Sequence, residues 1–209
     1  MKQQRPVTIA NGRLVTPDGL REGTLRLVDG MIDAIDASAQ DGDETIDANG
    51  GLVAPGLVDL GVFAIDKPAF HFGGITRAAL MPDQSPPLDL PSRVSYIAKS
   101  GKPDFWVHPL AAATRGLDGC EIAELGLMRE AGARGVATGR RWIADSGVML
   151  RLLQYSAMLD LVVVAHAEDA ALVGSAVATA GEIATRRGLP SAPAEAEAIA
   201  LNRDIALAE

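Results

Sequence analysis

Imidazoles, carboxylates and a single thiol are the groups in this sequence that could do chemistry. The three histidines are His71, His108 and His166, and neutral imidazoles that converge on one point are common ligands of a divalent cation. A three-histidine site is one reading. Three separate structural histidines is the other, favoured because His71 falls in a stretch cut by Pro68 and by Gly73-Gly74, and His108 lies inside an apolar run. Glu168-Asp169 offers a carboxylate pair for acid–base work. The same pair stands just before a helical stretch starting at Ala170, where each acidic side chain at a helix N-terminus contributes ~0.3–1 kcal/mol, so capping is the preferred role. Gly73-Gly74 precedes its strand and has no Lys-Ser/Thr after it, which fits a turn and not a phosphate loop. Cys120 is the one cysteine. It excludes an intrachain disulfide or a cysteine-built zinc finger, shows no cue for nucleophilicity and reads as a helix-start residue.

The elements that must position these groups fall into two patterns. Through residue 55 the chain reads as a small β module, with strands at Val7–Ile9, Arg13–Val15, Thr24–Val28, Met31–Ile35 and Gly51–Ala54. Asn11-Gly12, Asp18-Gly19 and Asp29-Gly30 supply turns between them. From residue 56 to residue 209, apolar runs of strand length alternate with helical stretches, the signature of βα units around a parallel sheet. The strands are expected at Leu57–Phe63, Thr76–Met81, Phe105–Ala111, Gly135–Thr138 and Leu161–His166. Helices are expected at Leu90–Ser100, Cys120–Ala131, Ser146–Leu159, Ala170–Arg187 and Ala192–Ala208. Ala64–Gly74 is too short and interrupted for a full covering helix. Either it barely makes the right-handed crossover or the neighbouring strand pairs differently.

Composition narrows the function classes. Hydrophobic residues make up 48% and aromatic residues 4%, so the core must be built from small aliphatic side chains. A net charge of −8 leaves no broad basic surface for a nucleic acid. Neither a signal core nor an uninterrupted apolar stretch of ~20 residues is present, which predicts a protein outside the membrane. The lone cysteine fits a reducing cytoplasm.

Four ordered motifs carry a family resemblance. Asn11-Gly12-Arg13, Ile46-Asp47-Ala48-Asn49-Gly50 and Val53-Ala54-Pro55-Gly56-Leu57-Val58-Asp59 resemble the opening of the amidohydrolase superfamily. Met81-Pro82-Asp83-Gln84-Ser85-Pro86 is similar to the dihydroorotase Met-Pro-Asn-Thr-x-Pro segment. Thr114-Arg115-Gly116-Leu117-Asp118-Gly119, with Glu121, Ala123 and Glu124, is similar to that family's Thr-Lys-Gly-Leu-x-Gly-x-Glu-x-Ala-Glu. His166-Ala167-Glu168-Asp169 matches its His-Ala-Glu-Asp. The resemblance implies an α/β fold: a partial (β/α)8 TIM-type barrel preceded by the β module.

The resemblance also implies a site, and the residues here depart from it. In the family, zinc polarises a cyclic amide and lowers the pKa of its bound water. The first barrel strand of the family carries Asp-x-His-x-His, whose alternate residues share one face. Here that strand reads Asp59-Leu60-Gly61-Val62-Phe63, so Gly61 and Phe63 stand at lost ligand positions. Asp59 keeps that face as a hydrogen-bond acceptor. The family's Ser-Asp-Asp-Gly corresponds to Ala137-Thr138-Gly139-Arg140, and Thr138 and Gly139 are again lost positions. Lys67 stands in poorly for the substrate-gripping Arg, lacking its planar fork, and Asp83 replaces the substrate-binding Asn. His166 alone matches a metal ligand. The resemblance therefore implies a silent homologue with no catalytic residue and no cofactor, partnered with aspartate transcarbamoylase or with a second copy of itself. Lys67, Asp83 and His166 would be vestigial contacts. The alternative is an active cyclic-amide hydrolase that binds zinc through rearranged ligands or through chain beyond residue 209. A third reading is a metal-free binder using Asp83, Lys67 and His166. A barrel needs ~250 residues, so an open edge is expected, covered by a second chain or by the terminal helices.

Overall fold

Positive-φ residues at turns and at a bulge shape residues 7–53 into a sheet. A computed structural model describes residues 5–102 and 105–209, so residues 1–4 of the segment read for a signal core lie outside the described residues. Contacts divide the chain into two units, Met1–Gly56 and Leu57–Glu209.

The first unit contains β1 (Val7–Thr16), β2 (Gly19–Val28), β3 (Met31–Ile35), β4 (Glu44–Asp47) and β5 (Leu52–Val53). Their order is β3-β2-β1-β4, with β5 also pairing β1. Asp29 and Gly30 both take positive φ, 49° and 76°, which suits a tight turn between right-twisted strands. Asn11-Gly12 is not a turn, contrary to the expectation of two strands there. Asn11 at φ 54° makes a bulge where the β1–β2 register shifts between Ile9 and Gly12, and one long strand results. The buried part of this unit is polar as well as apolar. Arg26 donates from Nε and Nη2 to Asp43 at 2.8 and 3.0 Å and from Nη1 to Asp33 at 2.6 Å, while Thr8 donates its hydroxyl to Asp43 at 2.8 Å.

The second unit is a curled, fully parallel half-barrel sheet, ordered β10-β9-β8-β7-β6. Its strands are β6 (Leu57–Val62), β7 (Ile75–Leu80), β8 (Trp106–Ala112), β9 (Gly135–Ala137) and β10 (Val163–Val164). The short first crossover does manage the connection: α1 (Lys67–Phe72) fits inside it, and β6 pairs β7 in parallel from Leu57↔Ile75 onward. Asp66 caps α1 by accepting from the Ala69 amide at 3.1 Å. The other covering helices are α2 (Pro91–Ser100), α3 (Leu125–Glu130) and α4 (Ser146–Met158). Asp145 caps α4 by accepting from Val148 N at 2.9 Å, and Val148, Met149, Leu152 and Ser156 form its buried stripe.

Between sheet and helices lies the core, with Ala78, Leu80, Val94, Phe105, Val107, Ala111, Leu125, Met128, Val136 and Leu152 all buried. Each fully buried Val, Leu, Phe or Met contributes roughly 1.5–3 kcal/mol. The opposite face of the sheet holds a smaller cluster of Met81, Leu110 and Ala137.

The remaining corrections concern helices. Cys120–Ala131 is helical only from Leu125, because Gly119 takes φ 82° and Thr114 bridges Ile122 before the helix starts. Cys120 is therefore an exposed turn residue, its amide bonded to Asp118 at 2.8 Å. Ala170–Arg187 splits into α5 (Ala170–Val173) and α6 (Glu182–Arg186), because Gly174 (φ 53°, ψ −120°) and Gly181 (φ 165°) both leave helical space. Two short strands, β11 (Ala178–Thr179) and β12 (Ser191–Ala192), pair around α6. Finally, α7 (Glu195–Ala208) packs on α4 and α5.

Candidate functional site at the carboxyl ends of the parallel strands

Loops leaving β6, β7, β9 and β10 meet at the carboxyl end of the sheet, where parallel α/β folds place their ligands. Short contacts stitch them together. Gln84, after β7, donates its amide to Phe63 O at 3.1 Å and Met81 O at 3.0 Å. Asp83 accepts from the Arg140 backbone N–H at 2.9 Å. The Arg140 guanidinium lies 3.9 Å from the Phe63 ring centroid, a cation–π distance. The buried hydroxyl of Thr138 accepts from the His166 backbone N–H at 2.9 Å.

Gly139 is required by this packing. It takes φ 72°, and a Cβ there would sit 2.8 Å from Asp83 Oδ1, so only glycine lets the carboxylate reach the next amide. The second oxygen, Asp83 Oδ2, is buried and has no hydrogen-bond partner among the described residues.

Of the residues singled out from sequence, Phe63, Asp83, Thr138, Gly139 and His166 come together at this end of the sheet. Gly61 is exposed, with open space where a side chain would project. The expected strict two-residue facing of positions 59, 61 and 63 is broken by a bulge, since β6 shifts register against β7 between Asp59 and Val62. Asp59 accepts locally, from the Gly61 amide at 3.0 Å. Lys67 is placed elsewhere: its ammonium stands 5.9 Å from the ring of Phe105, which precedes β8 at the opposite end of the sheet. His71 lies in α1, His108 in β8 and His166 beyond β10. Among the described residues no three His, Cys, Asp or Glu side chains are grouped to hold a metal ion. Glu168 stands 3.6 Å from His166 Nε2, and Asp169 caps α5 through the Ala171 amide at 2.8 Å.

Arg140 is the residue that sequence reasoning missed. It entered only as the last member of a mismatched segment, and the sole cue to it was a cation directly after a glycine at a strand end. Its presence decides how a divalent metal would fare. Gly61 has no donor, Phe63 offers a ring already faced by a guanidinium, and what remains is the His166 imidazole with Glu168 beside it, the Thr138 hydroxyl and the Asp83 carboxylate, which is bonded to the Arg140 amide. Among the described residues these donors do not converge on one point, so the set does not fit zinc, which needs three or four N, S or carboxylate ligands together.

Residues 50–209 match the family described as dihydro-orotase-like. A dihydroorotase from Pelotomaculum thermopropionicum is 38% identical over 96% of this chain and 51% of its own length. One from Syntrophotalea carbinolica is 37% identical over 97% and 52%. The chain thus spans about half the length of the relatives it matches. Among solved structures, the L-hydantoinase (dihydropyrimidinase) of Arthrobacter aurescens superposes with a TM-score of 0.78 at 24% identity, over 98% of this chain and 50% of that one. The dihydropyrimidinase of Brevibacillus agri gives 0.73 at 21%, over 97% and 49%. These two likenesses establish fold. The family match over residues 50–209, together with the relatives at 37–38% identity, makes this chain a member of the dihydroorotase-like family of the amidohydrolase superfamily, corresponding to its N-terminal portion.

Proposed function

We propose that the chain is part of a catalytically silent dihydroorotase-like protein of pyrimidine biosynthesis, acting as a structural and regulatory partner of aspartate transcarbamoylase. The observation that carries the silent half is the Arg140–Phe63 stack at 3.9 Å. At the carboxyl end of the sheet it sets a fixed monocation and an aromatic ring beside the positions that, by family resemblance, would hold histidine ligands. A dication placed there would meet like charge and too few donors. Without a metal, water at that point keeps its ordinary pKa and is a poor nucleophile.

The partner half rests on the resemblance, since silent members of the family accompany that enzyme. No helix in the described residues is long and apolar enough to cross a membrane.

The names of the relatives favour a second reading, an active zinc-dependent cyclic-amide hydrolase whose ligands come from residues outside this set or from chain beyond residue 209. Two measurements separate the readings. Mixed with the transcarbamoylase of the same organism at micromolar concentration, the protein is expected to co-elute with it, and elemental analysis of the mass-verified chain is expected to find zinc well below one ion per chain. Separate elution refutes the partner role, and stoichiometric zinc with metal-dependent turnover of dihydroorotate or a hydantoin refutes the silent one.

A further inference from the structure

At the opposite end of the sheet, alternation along β8 sends Val107 and Ala111 into the helix-covered core. Trp106 and His108 are left on the other face. Trp106 is 43% exposed. Arg77 pairs with it across the β7–β8 ladder and holds its guanidinium 5.5 Å from the indole centroid, while the Lys102 ammonium stands 4.4 Å from the same ring. Arg77 Nη1 also lies 3.5 Å from His108 Nε2. Arg134, whose amide donates to Pro109 O at 3.0 Å, brings a third cation to the threshold of β9.

Burial first, and then the charges of Arg77, Arg134 and Lys102, push His108 below the usual imidazole range. Among the described residues, none of these three cations has a carboxylate at ion-pair distance. Glu130 and Asp160 line a cleft with Arg134 but make no ion pair with it. In a chain of net charge −8, two cations set against an exposed indole, with a third close enough to act on the neighbouring His108, run against the average surface. Aromatic and arginine side chains are also what protein interfaces concentrate.

We propose that the patch formed by Trp106, Arg77, Lys102 and Arg134 docks an acidic segment of a partner protein. The patch crosses three neighbouring strands, a width of about 10 Å. Alternate residues of an extended segment stand ~7 Å apart, so two carboxylates flanking one apolar side chain would meet the cations while the apolar group covers the indole. The proposal rests on the partner reading above only for which protein supplies the segment.

The test uses a labelled synthetic peptide with Glu at alternate positions around a central Leu, and a control peptide with Gln for each Glu. Anisotropy is expected to show the acidic peptide binding the wild-type chain. Affinity should fall at least about tenfold in Arg77→Ala/Lys102→Ala, and by a similar factor between about 50 and 300 mM salt. The exposed Arg187→Ala should bind like wild type, and the Gln peptide should not bind. Circular dichroism is the check that each variant keeps its fold, and the Trp106 indole N–H resonance should shift only with the acidic peptide.

Equal affinity for the two peptides, or for wild type and the double variant, overturns the proposal. So does peptide binding that disappears in a longer product carrying strands that close the barrel, because the patch would then belong to intramolecular packing. A transcarbamoylase complex unaffected by the double variant removes the patch and leaves the partner reading standing. Peptide binding without any such complex does the reverse.

Discussion

The guanidinium of Arg140 faces the ring of Phe63 at 3.9 Å, while its own backbone N–H is held by Asp83 at 2.9 Å. One residue thus joins the loops after β6, β7 and β9 and places a positive charge at the carboxyl end of the sheet. Installing imidazoles alone should therefore not recreate a metal centre. Gly61→His/Phe63→His is expected to take up little zinc, and the same pair combined with Arg140→Ala to take up clearly more, as read by elemental analysis after dialysis. Equal uptake in both would show that Arg140 does not oppose the ion.

Gly139 gives a second prediction. Alanine there must adopt φ 72° and put its Cβ 2.8 Å from Asp83 Oδ1, so Gly139→Ala should cost about 1–3 kcal/mol in urea unfolding. Removing the obstacle should recover part of that loss. The cost of Gly139→Ala in an Asp83→Ala background is expected to be smaller than in wild type, because contacting residues are not additive. Equal costs in the two backgrounds would mean that the backbone angle alone is responsible.

Some of this was legible in the sequence and some could not be. β7, β8 and β9 announce themselves through apolar runs such as Ala78–Leu80 and Leu110–Ala112, because the stretches of a strand covered on both faces need apolar side chains throughout. β4 escaped notice because Glu44, Thr45, Ile46 and Asp47 are all exposed and carry no burial pattern to read. The helix expected from Cys120 has the right spacing, yet the Thr114–Ile122 bridge takes its first turn away, and tertiary pairing overrides propensity. In the same way, motif order located Asp83, Thr138, Gly139 and His166. The contacts of Arg140 with Phe63 and of Arg77 with Trp106 have no periodic signature, since they depend on which loops and strands become neighbours.

A third prediction concerns acid. Hydrogen bonds from Arg26, then from the Gln40 amide and Thr8, hold the Asp43 carboxyl well below the usual carboxylate range. A carboxylate with a depressed folded pKa contributes stability that is fully present above its unfolded value of about 3.9 and is lost as pH falls toward the folded value. Amide protection factors in β1 and β2, taken relative to intrinsic exchange at each pH, should therefore fall below about pH 4. In Asp43→Asn that acid dependence should flatten, because no carboxyl remains to be protonated. An unchanged acid profile in the variant would assign the effect to other carboxylates of the unit.

Besides its packing on α4 and α5, helix α7 is anchored by the side chain of Arg203, and this leads to the last prediction. Arg203 stacks 4.1 Å from the Trp142 ring centroid, and its Nη1 donates to Ile143 O at 2.7 Å and Ala144 O at 3.1 Å. Its Nε and Nη2 both reach Asp204 Oδ1, at 2.9 and 2.5 Å. Asp204 is 8% exposed and its other oxygen has no partner among the described residues. Truncating Arg203 removes charge-assisted bonds worth roughly 1.5–3 kcal/mol and also leaves a buried carboxylate uncompensated. Arg203→Ala should therefore destabilise the second unit by about 2–4 kcal/mol, followed by the fluorescence of Trp142, which should redshift as its ring is uncovered. Adding Asp204→Asn should restore part of that loss, since an amide is cheaper to leave buried than a charge. If the double variant were no more stable than Arg203→Ala, the anchoring would come from the stack and the carbonyl bonds alone, with the carboxylate contributing nothing to the position of α7.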